Sequence, residues 1–327
     1  MSMLPRLASR RDFLAAIVAG VAAGAVPGPA LADDWPSKPV TIVVPYAPGA
    51  SNDTFTRKLA QVLTKQFGQT FMVVNRPGAG GFIGSDAVAK AAPDGYTLLE
   101  MPSSIAGFKP VMKVDLDPVK DLAPIALMAK APDAMVINAG LPPKTVKEFI
   151  DYARARTDEV FYGMAGIGTS GHQHAEMFNN ATGLKLKGVN YKSAADVMND
   201  IIGGRIHMMF VSTGSSRPAV EAGQLRLLAY ADSNLPPESL KAPTLAEAGV
   251  PNMEAAQTWW AVFGPPGLPA DIKRKLNAAI VAAQKDPEFA ALLARSGATP
   301  APLSIEDTVA VVRDEIAIVE KLKLEGN

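Results

Sequence analysis

Two glycine-rich loops that lead directly into predicted helices are the parts of this 327-residue chain best suited to bind an anion. Backbone N–H groups at a helix N-terminus lack acceptors, and the helix dipole favours negative charge there, so such a site needs no charged side chain. Glycine also lets the backbone approach a ligand closely. The candidate binding residues are Tyr46, Ala47, Pro48, Gly49, Ala50, Ser51, Asn52 and Asp53 in the first loop, and Pro77, Gly78, Ala79, Gly80 and Gly81 in the second. Side by side, the two loops would suit a carboxylate.

A nucleotide site is the chemical alternative for the second loop, but the glycine spacing is against it. Gly78, Gly80 and Gly84 do not form G-x-G-x-x-G, because Ile83 stands at the third glycine position. The segment also follows the second predicted strand rather than the first, and the chain has no G-x-x-x-x-G-K-[ST] motif. The residues alone leave open that both loops are tight turns needed only for packing.

Alternating strand-like and helix-like segments must position these loops. Val40 to Val44 is a continuous β-branched run, typical of a strand buried on both faces. The order continues with a helix from Asn52 to Phe67, a strand from Phe71 to Val74, a helix from Gly81 to Lys90 and a strand from Tyr96 to Met101. This order predicts a parallel sheet, in which ligands bind at the carboxyl ends of the strands. Ser103 and Ser104, after the third strand, are therefore candidates too.

A second set of segments repeats the alternation of strand-like and helix-like segments and predicts a second lobe. It comprises Val146 to Arg156, Val160 to Met164, Gly171 to Ala181, Lys187 to Tyr191, Ala194 to Ile202, His207 to Val211 and Leu225 to Ala231. Between the two sets, Ala123 to Lys130 and Ala134 to Asn138 are short apolar runs that could cross from one lobe to the other. A strand from Trp259 to Gly264 and three helices, beginning near Pro269, Pro287 and Ser304, end the chain.

The predicted fold class is therefore α/β, with two lobes, each a mostly parallel sheet flanked by helices, and a cleft between them. We expect lobe 1 to comprise residues 33–130 and about 240–327, and lobe 2 to comprise about 131–239. The loops that carry the chemistry should face this cleft.

Composition excludes several functions. Lys and Arg total 32 and Asp and Glu total 32, so the formal net charge is zero, and no basic cluster follows the first dozen residues. A nucleic-acid partner is therefore not expected. The chain has no cysteine, which rules out disulfides, thiolate catalysis and Cys-based zinc sites.

The first 32 residues predict export. Arg10 and Arg11 stand in a twin-arginine-like stretch, and an Ala/Gly-rich apolar run from Ala15 to Val26 follows. Ala30-Leu31-Ala32 supplies the small-x-small pattern for signal-peptide cleavage after Ala32. The apolar run is too short and too broken by glycine to favour the alternative, a membrane anchor. We expect a periplasmic protein.

Other polar residues offer weaker candidates. His172 lines the predicted cleft or, equally, lies on the surface, and His174 at i+2 points elsewhere, so the pair lacks a third metal ligand. Ser170 is not in a G-x-S-x-G nucleophile elbow. Asp53 and Asp200 have no second carboxylate at helical spacing, and Asp53 is most simply a partner of the helix dipole. No metal, cofactor or catalytic group is expected.

Several motifs in order resemble the receptors of tripartite tricarboxylate transporters, the Bug receptor family. The resemblance spans the whole chain after residue 32. The segments that carry it are VTIVVPYAPGASND (40–53), VVNRPGAGGFIGSDAVAKAAPDGYTLL (73–99), LDPVKDLAPIALMA (116–129), VNYKSAADVMNDIIGGRIHMMF (189–210), GQLRLLA (223–229) and TWWAVFGPPGLP (258–269).

The resemblance implies a two-lobed periplasmic-binding-protein fold of the Venus-flytrap type, with a carboxylate buried between the lobes. It further implies that the loops at 46–53 and 76–81 hold one carboxylate through backbone N–H groups. Gly168, Thr169, Ser170 and Tyr191 would close over the other end of the ligand, and the membrane components of the transporter would be the partner. A dicarboxylate or an aromatic carboxylate, bound by a monomer, is the expected complex.

The sequence departs from the family pattern at four positions. Ala50 stands where a second glycine is usual, Ser193 and Asp196 replace a common Gly and Pro, and His207 replaces a frequent acid. These departures bear on which ligand is bound. An exported α/β enzyme and a ligand sensor for a signalling partner stay open as alternative functions.

Overall fold

The computed structural model of the chain describes residues 35–156, 159–232, 235–236, 239–253 and 258–322. The predicted signal peptide, 1–32, lies outside these ranges. The described residues from 36 onward form one compact unit, and every element below belongs to it. Within the described residues, no helix has the length and apolar character needed to cross a membrane.

Eleven strands and nine α-helices occur in the described part of the chain. The strands are β1 (Val40–Val44), β2 (Phe71–Asn75), β3 (Thr97–Pro102), β4 (Ala123–Ala131), β5 (Asp133–Asn138), β6 (Phe161–Met164), β7 (Lys187–Asn190), β8 (Met208–Ser212), β9 (Leu225–Tyr230), β10 (Thr258–Gly264) and β11 (Thr299–Pro300). The helices are α1 (Ser51–Phe67), α2 (Phe82–Ala89), α3 (Val146–Arg154), α4 (Ser170–Thr182), α5 (Ala194–Ile202), α6 (Thr213–Glu221), α7 (Ala270–Ala283), α8 (Pro287–Arg295) and α9 (Ile305–Leu322). Short 3-10 turns follow β2 and β3, at Ala79–Gly81 and Ser103–Gly107.

The first sheet has the strand order β11-β4-β10-β3-β1-β2. As the sequence predicts, β1 pairs in parallel with both β2 and β3, which brings the carboxyl ends of three strands to one edge. β10 enters between β3 and β4 and is antiparallel to both, and β11 is antiparallel to β4. Val40, Ile42 and Val44 are fully buried, as the β-branched run indicates.

The second sheet has the order β7-β6-β8-β5-β9. β6 pairs in parallel with β7 and β8, whereas β5 is antiparallel to β8 and β9. Each sheet is therefore mostly parallel in strand direction and includes an antiparallel strand between two others. The sequence did not predict these reversals, because strand direction depends on pairing rather than on local residue type.

The chain passes from one sheet to the other at Pro132. β4 belongs to the first sheet and β5 to the second, and Pro132 is the only residue between them. The two apolar runs that the sequence marks as crossing segments do lie in different sheets. The chain returns between β9 and β10.

Helix α6 and the two-residue strand β11 were not predicted. Helix α6 follows β8 directly and contains Gly214 and Pro218, both of which weaken a helical pattern. A methyl group at Gly214 would lie 1.9 Å from the carbonyl oxygen of Ser296, so this helix exists where another backbone segment packs against it. Tertiary packing overrides local propensity here.

Separate groups of buried side chains support the two sheets. Val43, Leu99, Met101 and Trp259 pack in the first group, and Met135, Phe149, Phe178 and Phe210 in the second. Burying each of these side chains stabilises the fold by about 1.5–3 kcal/mol. The loops at the strand ends thus extend from two sheets, each stabilised by its own group of buried side chains.

Candidate functional site

A single buried carboxylate joins the loops that follow β1 and β2. Asp53, in the first turn of α1, is 3% exposed. It accepts hydrogen bonds from the Gly49 N–H (2.9 Å), the Asn75 amide (2.9 Å) and the Arg57 Nε (3.0 Å). The Asn75 amide also donates to the carbonyl oxygen of Tyr46 at 3.0 Å. The two glycine-rich loops are therefore side by side, as predicted, and fixed to each other.

Asp53 has hydrogen-bond partners within the protein for both of its oxygens. Burial alone would raise the pKa of Asp53, but hydrogen bonds from Arg57, Gly49 and Asn75 and the Arg57 charge hold the pKa below its usual range. The ionised carboxylate is used within the protein, and so is the N–H of Gly49. In this arrangement Asp53 holds the two loops in place.

Free donors do occur at the start of α1. The N-cap residue is Ala50, with φ −65° and ψ 161°, and no side chain caps the helix. Thr54 is the first residue whose N–H bonds back, to the carbonyl of Ala50 at 3.0 Å. The N–H groups of Ser51 and Asn52 have no acceptor in the helix, because helix geometry provides none at this position. An anion at this point would meet those two donors and the positive end of the dipole.

The second loop makes a left-handed turn. Gly78, Ala79, Gly80 and Gly81 have consecutive positive φ values of 138°, 46°, 62° and 100°. A methyl group at Gly81 would lie 2.6 Å from Met101, so this glycine serves close packing. A methyl group at Gly80 would lie 3.1 Å from Cε, the terminal carbon of the Met112 side chain. The packing interpretation therefore explains Gly81 but not Gly80.

The loop after β3 joins the same cluster and adds a residue that the sequence analysis missed. The Tyr46 hydroxyl lies 3.1 Å from the Ser104 Oγ, and Ser103 is buried beside it. Burial also raises the pKa of Tyr46. Glu100, at the end of β3, is fully buried, and the Asn52 amide donates to its two oxygens at 3.1 and 3.3 Å. The available signal was a lone acid in the apolar run Thr97 to Met101.

The start of α4 supplies the facing side of the site from the second sheet. The Gly168 N–H donates to His172 Nδ1 at 3.1 Å, and the Thr169 hydroxyl donates to the Gly166 carbonyl at 2.8 Å. His172 is 3% exposed, so the alternative that it lies on the surface is wrong. Burial lowers the pKa of His172 to about 4, and the ring is therefore neutral with its proton on Nε2.

The loops from the two sheets touch each other. A methyl group at Gly107, at the end of the turn after β3, would lie 3.3 Å from the Cα of Gly168. Ile167 packs against a small apolar cluster that includes Ala106 and Val111. The carboxyl ends of β1, β2 and β3 and the start of α4 thus share one region, which is the candidate site.

Ser170 belongs to a buried network where the chain crosses between sheets. Its hydroxyl bonds to that of Thr258, the first residue of β10, which donates to Asp133, the first residue of β5, at 2.9 Å. His174 Nδ1 lies 3.0 Å from the other oxygen of Asp133. Asp133 and His174 are 1% exposed. These contacts tie the crossing strands together, so Ser170 has a structural partner rather than a nucleophile's base.

Tyr191 and Asp200 pair with each other. The Tyr191 hydroxyl donates to Asp200 at 2.7 Å, and Arg205 Nε donates to the second Asp200 oxygen at 3.0 Å. Burial and the Asp200 carboxylate raise the pKa of Tyr191 to about 12. No contact among the described residues links this pair to the first-sheet loops. Both oxygens of Asp200 thus have partners within the protein.

The structure also shows the contacts of residues that depart from the family pattern. Ser193 caps α5, accepting from the Asp196 N–H at 3.2 Å and donating to its carboxylate at 2.7 Å. His207 precedes β8 and accepts from the Phe161 N–H at 3.1 Å, which places it at the amino end of the strand, away from the candidate site.

Within the described residues, no group of three or more His, Asp or Glu side chains could hold a metal ion.

Comparisons with known proteins place the chain in one family. A model of the tripartite tricarboxylate transporter family receptor matches residues 55–324. Protein BugT of Bordetella pertussis is 32% identical over 307 residues, which cover 93% of this chain and 94% of BugT. An R. palustris protein solved with adipate superposes with a TM-score of 0.80 at 34% identity, covering 90% of this chain and all of that one. MatC from Rhodopseudomonas palustris with bound malate gives 0.76 at 29% identity, covering 88% and 100%.

Proposed function

Since the chain belongs to the tripartite tricarboxylate transporter receptor family, whose members are solute-binding receptors rather than enzymes, we propose that it captures a dicarboxylate or an aromatic carboxylate. The ligand occupies the cleft between the two sheets, and the closed receptor delivers it to the membrane components of such a transporter. The fold is that of the two-lobed periplasmic binding proteins.

The uncapped start of α1, fixed beside the second loop by Asp53, is the observation that carries the proposal. Its neutral N–H donors suit a carboxylate, which loses water on entering and needs each lost hydrogen bond replaced. Ser51 and Asn52 would donate from α1, and Gly80 would let the second loop approach. The adipate and malate of the two R. palustris proteins are both dicarboxylates, which supports a ligand with an anion at each end.

The far end of the ligand would lie under the start of α4. Thr169 and neutral His172 supply hydroxyl and imidazole groups rather than a fixed positive charge. We propose that residues 33–130 and about 240–327 form one lobe, that about 131–239 form the other, and that a monomer closes by hinging at the crossing strands. A ligand shifts this equilibrium only through contacts that it makes in the closed state.

A binding screen with matched glycine variants tests the proposal. The purified protein is titrated with mono-, di- and tricarboxylates, amino acids and sugars, using thermal shift and then calorimetry. A carboxylate at 100 times its Kd should add about 2.7 kcal/mol of stability, a melting shift of a few degrees. Gly49→Ala and Gly80→Ala should weaken binding at least tenfold, about 1.4 kcal/mol, because alanine is strained at the positive φ of both positions and would shift the loops that present the donors.

Gly68→Ala is the control variant. Gly68 has φ 68°, close to the 62° of Gly80, and ends α1 at the opposite end from the site. The strain of a left-handed alanine at Gly68 is therefore close to that at Gly80, where the methyl would also lie 3.1 Å from Met112. Equal binding by all three variants would contradict the anion subsite. A sugar as the best ligand would overturn the proposal, and turnover of a ligand would favour an enzyme.

Export to the periplasm is proposed from Arg10, Arg11 and the cleavage pattern ending at Ala32. N-terminal sequencing of the exported protein should begin at or within two residues of Asp33. Replacing both arginines by lysine should retain the precursor in the cytoplasm. Unchanged export of that variant would contradict the twin-arginine route.

A further inference from the structure

We propose that Glu100 is a positioning residue of the carboxylate subsite, and that the subsite accepts an anion only while the Glu100 carboxyl is protonated. Ligand binding would then take up a proton. This inference rests on the proposed function, because it concerns the subsite at the start of α1.

The geometry places the acid directly beneath that subsite. Glu100 is fully buried on β3 and is paired in register with Val262 of β10. Its two oxygens lie 3.1 and 3.3 Å from the amide nitrogen of Asn52. Asn52 is the second residue of α1, and its backbone N–H is one of the donors of the subsite. One side chain therefore separates the Glu100 carboxyl from a bound carboxylate.

Two anions so close together repel each other strongly when one of them, Glu100, is fully buried. Asn52 can donate through its side chain to Glu100 and through its backbone to the ligand, but it carries no charge to compensate them. A protonated Glu100 removes the repulsion and keeps the contact with Asn52. An ionised Glu100 would instead compete with the ligand for the positive end of α1.

The surrounding groups favour the protonated form. Burial raises the pKa of Glu100, the Asn52 hydrogen bond opposes this and the Asp53 carboxylate on α1 adds to it, so that the pKa lies at about 8. Tyr46, after β1, is the other titratable group that interacts with Glu100. Arg57 is paired with Asp53, which it keeps ionised. Two neighbouring acids thus have pKa values pushed apart, with Asp53 charged and Glu100 neutral at pH 7.

The test measures affinity against pH. Adipate and malate are titrated into the wild type and Glu100→Gln at pH 6.5 and pH 9, where both carboxylates of each ligand are ionised. For a pKa of about 8, wild-type affinity should fall about tenfold between these values. Glu100→Gln, which keeps the shape and an acceptor for Asn52, should change less than about twofold. A merely structural glutamate would leave the wild-type pH profile flat.

Glu176→Gln provides the matched control. Glu176 accepts from the Tyr162 hydroxyl at 2.6 Å on the second sheet, away from the subsite. This variant loses one acid but should keep the wild-type pH profile. If the affinity of Glu100→Gln still falls about tenfold between pH 6.5 and pH 9, the pH dependence belongs to another group and the inference is overturned.

Proton uptake is measured on the wild type alone, so the proposal stays testable if Glu100→Gln does not fold. Calorimetry at pH 8 in buffers of different ionisation enthalpy should show uptake of about half a proton per ligand. No uptake, with normal binding at pH 6.5, overturns this inference but leaves the proposed function intact. Failure of both dicarboxylates and of every carboxylate in the screen at pH 6.5 overturns the proposed function and this inference with it.

Discussion

The two sides of the candidate site are built in different ways. On the first-sheet side, Asp53 connects three segments of the chain through one buried carboxylate. On the second-sheet side, Ser170 bonds across to Thr258 of β10, but the other polar residues bond in local pairs, as His172 does with Gly168 and Asp200 with Tyr191. The first side is thus one cooperative unit, whereas the second consists mostly of separate pairs. A change on the first side should affect all carboxylate binding, and a change on the second should adjust affinity locally.

Asp53→Asn should produce the largest effect. The amide cannot accept all the hydrogen bonds that the carboxylate accepts, so Gly49, Asn75 or Arg57 loses a partner in a buried place. We expect carboxylate binding to weaken more than a hundredfold and the free energy of unfolding to fall by about 2 kcal/mol. Calorimetry and urea unfolding measure the two quantities. Wild-type affinity in this variant would show that the loops hold their places without the carboxylate.

The same residue predicts an acid dependence of stability. Because the pKa of Asp53 is lower in the folded state than in the unfolded state, its contribution is present above the unfolded pKa, near 4. It is lost as the pH falls through the folded pKa. Between pH 5 and pH 2 the wild type should therefore lose more stability than Asp53→Asn. Parallel losses in urea titrations would refute the ionised assignment.

His174→Gln should have an intermediate effect, which we expect in the free energy of unfolding rather than in carboxylate binding. Burial alone would lower the pKa of His174, but the carboxylates of Asp133 and Glu315 raise it overall. A raised pKa stabilises the fold fully below the unfolded value, near 6.5, and this stabilisation is lost as the pH rises through the folded pKa. The variant should lose about 1.5 kcal/mol at pH 6 and less above neutral pH. A deficit that grows with pH would contradict the assignment.

Tyr191→Phe and Asp200→Asn should give the smallest effects. The pair is partly exposed and bonds within its own side, so the melting temperature should move by about one degree or less. Carboxylate affinity should change less than about threefold, as measured by calorimetry beside Asp53→Asn. A loss above tenfold in Tyr191→Phe would place the hydroxyl on the ligand and remove the difference between the two sides.

The sequence predicts the scaffold well because the scaffold depends on local patterns. The residue types from Val40 to Val44 are enough to predict a strand, and the proline at the start of α8 is enough to predict a helix start. The order of β1, β2 and β3 follows from the helices between them. The reversed strands β5 and β10 and the helix α6 depend on partners far along the chain, which no local pattern reveals.

The site is predictable in position but not in chemistry. Glycine and helix starts mark the two loops, whereas the role of Asp53 needs Asn75, 22 residues away, and that of Glu100 needs Asn52, 48 residues away. In the sequence, the first-turn position of Asp53 looks the same whether or not a neighbour uses the carboxylate. Glu100 gives no clear signal in the sequence, because one acid in a strand usually faces water.

Pro132 has a consequence for how this chain can vary. As the single residue between β4 and β5, it leaves no spare length between the sheets. One inserted residue there would turn alternate side chains of a strand to the opposite face, and Asp133 would lose both Thr258 and His174. Insertions and deletions among relatives should therefore avoid this junction and accumulate in the longer return connection between β9 and β10.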